Sequence, residues 1–307
     1  MTTPESSKDN QWNDYWNNDG AKGEVFVGAD GSAHPRIAAW WHSHFEHAPS
    51  GDIVDLACGA GSVFAHLPDH HKYRLFGADI SAEALEIMRQ RVPGVTTTVC
   101  SADNLPYEDG QFDVVCSQFG VEYAGLKAFE EAARILKPGG KLFILCHYEN
   151  GYIDARNRAH LEQARTLVSS DFIAKALNLI DATYAGDQDK LNKAIAEFSP
   201  AEQTLSQACS ALSEGIHLHL YAGFRQLYER RAQYDQADIE NWLRDMDKDV
   251  EHNILRLEHM CRAASDDRTM QDVVARLEAS GCSHVQHEPL TFKEHSQPVA
   301  WALTLTR

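Results

Sequence analysis

Between Ile53 and Cys146, five short apolar runs alternate with segments of helical period. Ile53-Val54-Asp55-Leu56, Tyr73–Asp79, Val95–Cys100, Phe112–Cys116 and Lys141–Cys146 read as strands. The intervening helices are expected from the first Gly-rich turn to about Leu67, over Ala82–Gln90 and over Leu126–Leu136. Val92-Pro93-Gly94 ends the second helix, and Lys137-Pro-Gly-Gly140 reads as a tight turn after the third. Apolar strands alternating with helices are the pattern of a parallel sheet covered on both faces.

The flanks differ from this core. Residues 1–33 are polar, with Trp12, Tyr15 and Trp16 spaced so that a helix would place them on one face. A helix is expected from Pro35 to about His47, stopped by Ala48-Pro49-Ser50-Gly51. From Tyr152 to Asp267 the pattern is helical. Ile216, Leu220, Phe224, Leu227 and Tyr228 form one stripe, and Ile239, Trp242, Leu243, Met246, Val250, Ile254, Leu257 and Cys261 form a longer one. A helix over Met270–Ala279 and a strand pair near His284–Phe292 and Val299–Thr306 then resume the α/β pattern. The expected organisation is an N-terminal helical cap (1–50), an α/β core (51–150), a helical insertion serving as substrate lid (151–267) and a C-terminal helix and strand pair completing the core (268–307).

The balance of Lys+Arg 28 against Asp+Glu 45 over 307 residues leaves a formal charge of −17, which disfavours a nucleic-acid partner. No apolar run approaches the roughly 18 residues of a membrane span, and Met1–Glu5 opens no signal peptide. Seven cysteines without a C-x-x-C pair point to free thiols and a cytoplasmic location.

The first strand runs into Ala57-Cys58-Gly59-Ala60-Gly61-Ser62, a turn whose glycines allow a ligand close to the backbone. Phe64 stands where a dinucleotide fingerprint needs a third small residue, and the Walker pattern is absent, so both nucleotide-phosphate readings recede. Several spaced elements together resemble the class I S-adenosylmethionine-dependent methyltransferases. They are Asp55-Leu-Ala-Cys-Gly-Ala-Gly61, Gly77-Ala-Asp79-Ile-Ser81, Ser101-Ala-Asp103-Asn-Leu-Pro106, Phe112-Asp-Val-Val-Cys-Ser-Gln118 and Leu136-Lys-Pro-Gly-Gly140. The resemblance covers roughly 50–148 and, in pattern, 269–307. It implies a doubly wound, mostly parallel seven-stranded sheet with its last strand antiparallel and the helical insertion after strand five.

It also implies a cofactor and its contacts. Asp79, 20 residues after Gly59, would accept from both ribose hydroxyls, with Ile80 beside it. Asp103 would accept from the adenine amino group, and Ala102 or Asn104 would offer a backbone N–H to the ring. Asp55 and the backbone of Ala57, Cys58, Gly59 and Gly61 would hold the methionine amino and carboxylate groups. A Gly often stands in the family where this chain has Ala57, a departure tolerated if the φ angle of Ala57 is negative. Trp16 resembles the aromatic N-terminal segments that cap the cofactor.

Methyl transfer from a sulfonium needs alignment and water exclusion, and a base only where the acceptor is protonated. Gln118 is expected beside the sulfonium, with Glu122 and Tyr123 towards the acceptor. His147, at the end of strand five, is the general-base candidate. Tyr221, Arg225, Tyr228, Arg230 and Arg231 could meet an acidic acceptor or form a solvated helix face. In His42-Ser-His44-Phe-Glu-His47, His44 and His47 lie one helical turn apart, and His217 and His219 share no helical face. Without an H-E-x-x-H pattern or a Cys at zinc spacing no metal site is expected, and Cys58 and Cys146 read as buried fillers. The expectation is therefore a monomeric or homodimeric enzyme that methylates the N, O or S of a small molecule, with no metal, nucleic-acid or membrane partner. The alternatives are methylation of a protein or RNA, a cofactor-binding protein without turnover, and aminopropyl transfer.

Overall fold

The computed structural model describes residues 34–68 and 72–307. Trp12, Tyr15 and Trp16 lie outside these residues. Helix α1 (Pro35–Glu46) starts where Pro35 fixes the first turn, and it buries Ile37, Trp41 and Phe45 at four-residue spacing. The seven strands are β1 (Gly51–Leu56), β2 (Tyr73–Asp79), β3 (Thr96–Val99), β4 (Phe112–Gln118), β5 (Leu136–His147), β6 (Ser283–Leu290) and β7 (Ala300–Thr306). They form one sheet in the order β3-β2-β1-β4-β5-β7-β6. β7 runs antiparallel to both neighbours, and the pairs from β3 to β5 are parallel.

Alternate residues of each central strand feed opposite faces of the sheet. Ile53, Val114, Phe143 and Leu145 join α1 and Met88 of α2 (Ala82–Arg91) on one side. Val54, Val115, Leu142 and Ile144 join α3 (Leu126–Arg134) and α9 (Asp267–Ala279) on the other. Burial on both faces explains why these strands read as continuous apolar runs. β1 lies between β2 and β4, so chain order reverses at its two sides, and the carboxyl ends of β1 and β4 border the crevice where open α/β sheets bind ligands.

Two expected elements differ. The helix after β1 is a single 3-10 turn, Val63–His66, because Leu67 is extended (φ −68°, ψ 124°) ahead of Pro68. Lys137-Pro-Gly-Gly140 is not a turn between elements. It lies within β5, where the step of two positions from Phe112 to Val114 in β4 faces a step of five from Leu136 to Lys141 in β5. Gly139 takes a φ of +80° in this bulge, and its N–H donates to the Arg307 carbonyl at 2.7 Å.

The described chain divides into two units, one comprising the residues up to Ala155 with Arg262–Arg307, the other Arg156–Cys261. The second unit draws on α4 (Tyr152–Ser169), α5 (Phe172–Tyr184), α6 (Gln188–Ala211), α7 (Ile216–Glu229) and α8 (Gln236–Ala263). Its core centres on Phe172, Phe198 and Phe224, whose rings lie 5.1–5.6 Å apart in edge and tilted contacts. Leu220 and Phe224 of α7 and Ile239, Leu243, Met246 and Val250 of α8 complete it, which is the use made of the two apolar stripes.

Candidate functional site

The Gly-rich turn is tied to the end of β2 by its backbone. Cys58 N–H donates to the Ala78 carbonyl at 3.1 Å, and Gly59 N–H donates to Asp79 Oδ2 at 2.8 Å. The other oxygen of Asp79 accepts from Ser81 N–H at 2.8 Å, and Ser81 in turn caps α2 through Ala84 N–H. Asp79 thus braces the turn with one bond to each oxygen and keeps further lone pairs for a ligand. Burial raises its carboxyl above the ordinary range, against the opposing pull of the Ser81, Gly59 and Ile80 amides.

Gly59 (φ +50°) and Gly61 (φ +79°) use left-handed backbone, and a Cβ on Gly61 would stand 2.8 Å from Met88 Cγ. Ala57 also has a positive φ, +49°, so the condition for its easy tolerance fails. It holds a left-handed conformation with a side chain attached, at a position where glycine is the unstrained choice. Cys58 is a buried filler whose Sγ lies 3.4 Å from Met88 Sδ, and burial pushes its thiol well up.

Asp55 is the unusual group. It is 1% exposed, and neither carboxylate oxygen has a hydrogen-bond partner. Burial, then the charge of Asp79, pushes its carboxyl well above the ordinary value. A buried acceptor without a donor is expensive, and a cationic N–H group is the partner that would satisfy it. After β3, Ser101 Oγ donates to Asp103 Oδ1 at 2.5 Å and Asn104 N–H closes a turn on the Ser101 carbonyl. Ala102 is buried, Ile80 and Asp103 are half-buried, and Asn104 is exposed.

At the end of β4, Trp41 Nε1–H of α1 donates to Gln118 Oε1 at 2.5 Å. Phe119 then adopts a φ of +52°, and Gly120 passes so close to the first turn that a Cβ there would lie 2.7 Å from Ala57 Cβ and O. This contact requires glycine for space. A 3-10 turn, Val121–Ala124, follows. It carries Glu122, whose Oε1 accepts from both the backbone N–H (3.0 Å) and Nδ1 (2.7 Å) of His147 at the end of β5. The Tyr123 ring meets that of His147 edge-on at 5.8 Å. Cys146 is fully buried, and its thiol is raised by burial and by the Glu122 charge.

The structure therefore brings Asp55, Ala57, Cys58, Gly59, Gly61 and Asp79 together around one turn, and Gln118, Tyr123 and His147 at the ends of β4 and β5. One contributor, Trp41, escaped the residues read from sequence, and for Glu122, expected towards the acceptor, the pairing with His147 did. Trp41 lies on a helix recognised only by its apolar period. The role of Glu122 depends on a turn whose partner is 25 residues away. Elsewhere, Arg225 and Arg231 stack over Tyr221 and Tyr228 at 5.7 and 4.7 Å, which occupies these helix-face residues with one another. His44 is held by the Trp40 carbonyl at 2.7 Å. Among the described residues, no three His, Cys, Asp or Glu side chains converge as a metal site.

Residues 54–144 match a family described as a methyltransferase domain. An uncharacterised methyltransferase of Schizosaccharomyces pombe is 30% identical over 36% of this chain and 45% of its own length. A cattle (Bos taurus) protein named "Probable tRNA methyltransferase 9B" is 31% identical over 47% of this chain and 30% of its own. A demethylmenaquinone methyltransferase of Clavibacter sepedonicus is 28% identical over 57% of this chain and 71% of its own. The chain thus spans less than half the length of the first two relatives.

Proposed function

We propose that this chain, whose residues 54–144 match a methyltransferase domain, is a class I S-adenosylmethionine-dependent methyltransferase that transfers a methyl group to an N, O or S atom of a small molecule. The observation that carries the reading is Asp55. A fully buried carboxylate with two unsatisfied oxygens, beside a Gly-rich turn braced by a second buried acid, suits a cofactor that is itself a cation. S-adenosylmethionine, when bound, supplies a methyl group already activated on a sulfonium. The residues of the chain then have to bind, orient and exclude water.

In this reading Asp55 accepts from the amino group of the cofactor, and the backbone of Ala57–Gly61 holds its carboxylate end. Asp79 accepts from the ribose hydroxyls, and Asp103 with the Ala102 and Asn104 backbone engages the adenine. Gln118, held by Trp41, and Tyr123 line the approach of the acceptor, and His147 is the base. Acceptor selection is assigned to the helical insertion because it follows β5 directly in the chain. The net charge of −17 supports a small molecule over RNA, and seven cysteines without a C-x-x-C pair support a cytoplasmic location.

The test is incubation of the protein with methyl-labelled S-adenosylmethionine and a cell extract, followed by mass identification of the labelled product. Label in low-mass material is expected. Label confined to acid-precipitable RNA or protein would transfer the reading to a macromolecular acceptor. Calorimetry showing no binding of S-adenosylmethionine or S-adenosylhomocysteine would end the cofactor assignment.

A further inference from the structure

The ends of β4 and β5 hold a buried pair that cofactor binding does not explain. The side chains of Glu122 and His147 are 2% and 0% exposed, and Glu122 Oε1 takes two hydrogen bonds from the one residue. Glu122 Oε2 and His147 Nε2 are buried without a partner. Phe119 and Tyr123 flank the ring, with centroids at 4.8 and 5.8 Å.

A carboxylate can only accept, so the imidazole nitrogen facing it carries the proton. In the neutral ring this leaves the lone pair on Nε2. Because one oxygen binds both the backbone and the ring of His147, the ring cannot rotate without losing a bond. Glu122 is fixed in its turn. Val121 N–H donates to Ser117 Oγ at 3.1 Å, and Ser117 Oγ–H donates to the Leu56 carbonyl at 2.7 Å, which ties the 3-10 turn to β4 and β1. The two unsatisfied atoms, Nε2 and Oε2, are both acceptors. A buried acceptor left alone costs about 1–3 kcal/mol, so this constellation suits a ligand that brings donors.

We propose that Glu122 is a positioning residue that holds His147 as its Nδ1–H tautomer, and that Nε2 then takes the proton of an acceptor substrate bearing an N–H or O–H group. The inference rests on the methyl-transfer reading above and narrows its acceptor class. As the acceptor heteroatom bonds to the methyl carbon, the carbon–sulfur bond breaks and its electron pair stays on sulfur. The proton leaving the heteroatom moves to Nε2. The resulting imidazolium is neutralised by the Glu122 carboxylate until the proton passes to water. An acceptor with no proton to lose would have no use for the pair.

The experiment uses the full chain labelled with 15N-histidine, with His147 assigned by its loss in His147→Gln. Long-range 1H–15N spectra are expected to show His147 protonated at Nδ1 and bare at Nε2. Glu122→Leu should let the Nε2–H tautomer appear. Glu122→Gln keeps the shape and removes the charge. With the acceptor found in the labelling experiment, it should lower kcat about 100-fold or more, leave KM and cofactor affinity within about twofold, and be partly rescued by Glu122→Asp. An Nε2–H tautomer in the wild type, or a Glu122→Gln protein with wild-type kcat, overturns the proposal. A wild type that binds no S-adenosylmethionine would instead overturn the methyl-transfer reading, and the spectrum would still report on the pair.

Discussion

Asp55→Asn is expected to move two observables in opposite directions. Asp55 is 1% exposed, makes no hydrogen bond through either oxygen, and has its carboxyl raised by burial and by the charge of Asp79. A folded-state value above the unfolded one means that the native protein binds the extra proton. Stability from this group is full below the unfolded value, near 3.8, and is lost as pH rises towards the raised folded value. In the ligand-free protein at neutral pH, Asp55 is then a liability of about 1–3 kcal/mol, the cost of an unsatisfied buried group. Asparagine keeps the volume and removes the charge. At about 2–4 °C per kcal/mol, the free variant should melt roughly 2–12 °C higher than wild type at pH 7 and lose less stability as pH rises. Cofactor affinity should fall instead, because removing one partner of a buried charge pair costs about 2–5 kcal/mol, or roughly 30- to 4,000-fold in Kd. Scanning calorimetry of the free protein across pH and titration calorimetry with S-adenosylhomocysteine read the two effects. A variant that melts no higher than wild type, or binds as tightly, refutes the assignment of Asp55 to the cofactor amino group.

Two further substitutions probe how the turns are built. Ala57→Gly relieves a left-handed backbone (φ +49°) that costs about 1–2 kcal/mol with a side chain present. The added freedom of the unfolded chain returns about 0.5–1 kcal/mol, so a small rise in the urea midpoint is expected, and a fall would show that Ala57 is not strained. Trp41→Phe and Gln118→Leu, combined in a double-mutant cycle, should show a coupling of about 0.5–1.5 kcal/mol from the indole–amide hydrogen bond, and additive losses would deny it.

The sheet was legible because each central strand is buried on both faces, so Ile53–Leu56, Phe112–Cys116 and Lys141–Cys146 announce themselves as apolar runs. The errors fell where neighbours decide local structure. Val63–Leu67 carries apolar residues at helical spacing, yet Pro68 leaves room for one 3-10 turn. Lys137-Pro-Gly-Gly140 has turn composition, yet its pairing with β4 and the bond from Gly139 to Arg307 keep it in the strand. Neither partner can be read from the segment itself. The positive φ of Ala57 was hidden for the same reason, since alanine gives no local sign of it.

The buried charge around the Gly-rich turn agrees with the cofactor that the motif resemblance implies. A Gly-rich turn after a first strand serves phosphate-bearing nucleotides as well as sulfonium cofactors. Here the turn lies between Asp55 and Asp79, both at least nine-tenths buried, and Glu122 adds a third buried acid at the end of β4. A pyrophosphate at that place would meet like charges in a medium where they are weakly screened, at a cost of several kcal/mol. A ligand carrying an ammonium and a sulfonium meets the opposite sign. The overall acidity of the chain says little about this, because most of its carboxylates are solvated. Two acids placed at adjacent strand ends say much more: a cofactor whose cationic groups sit near them lowers the free energy of a site that is costly when empty.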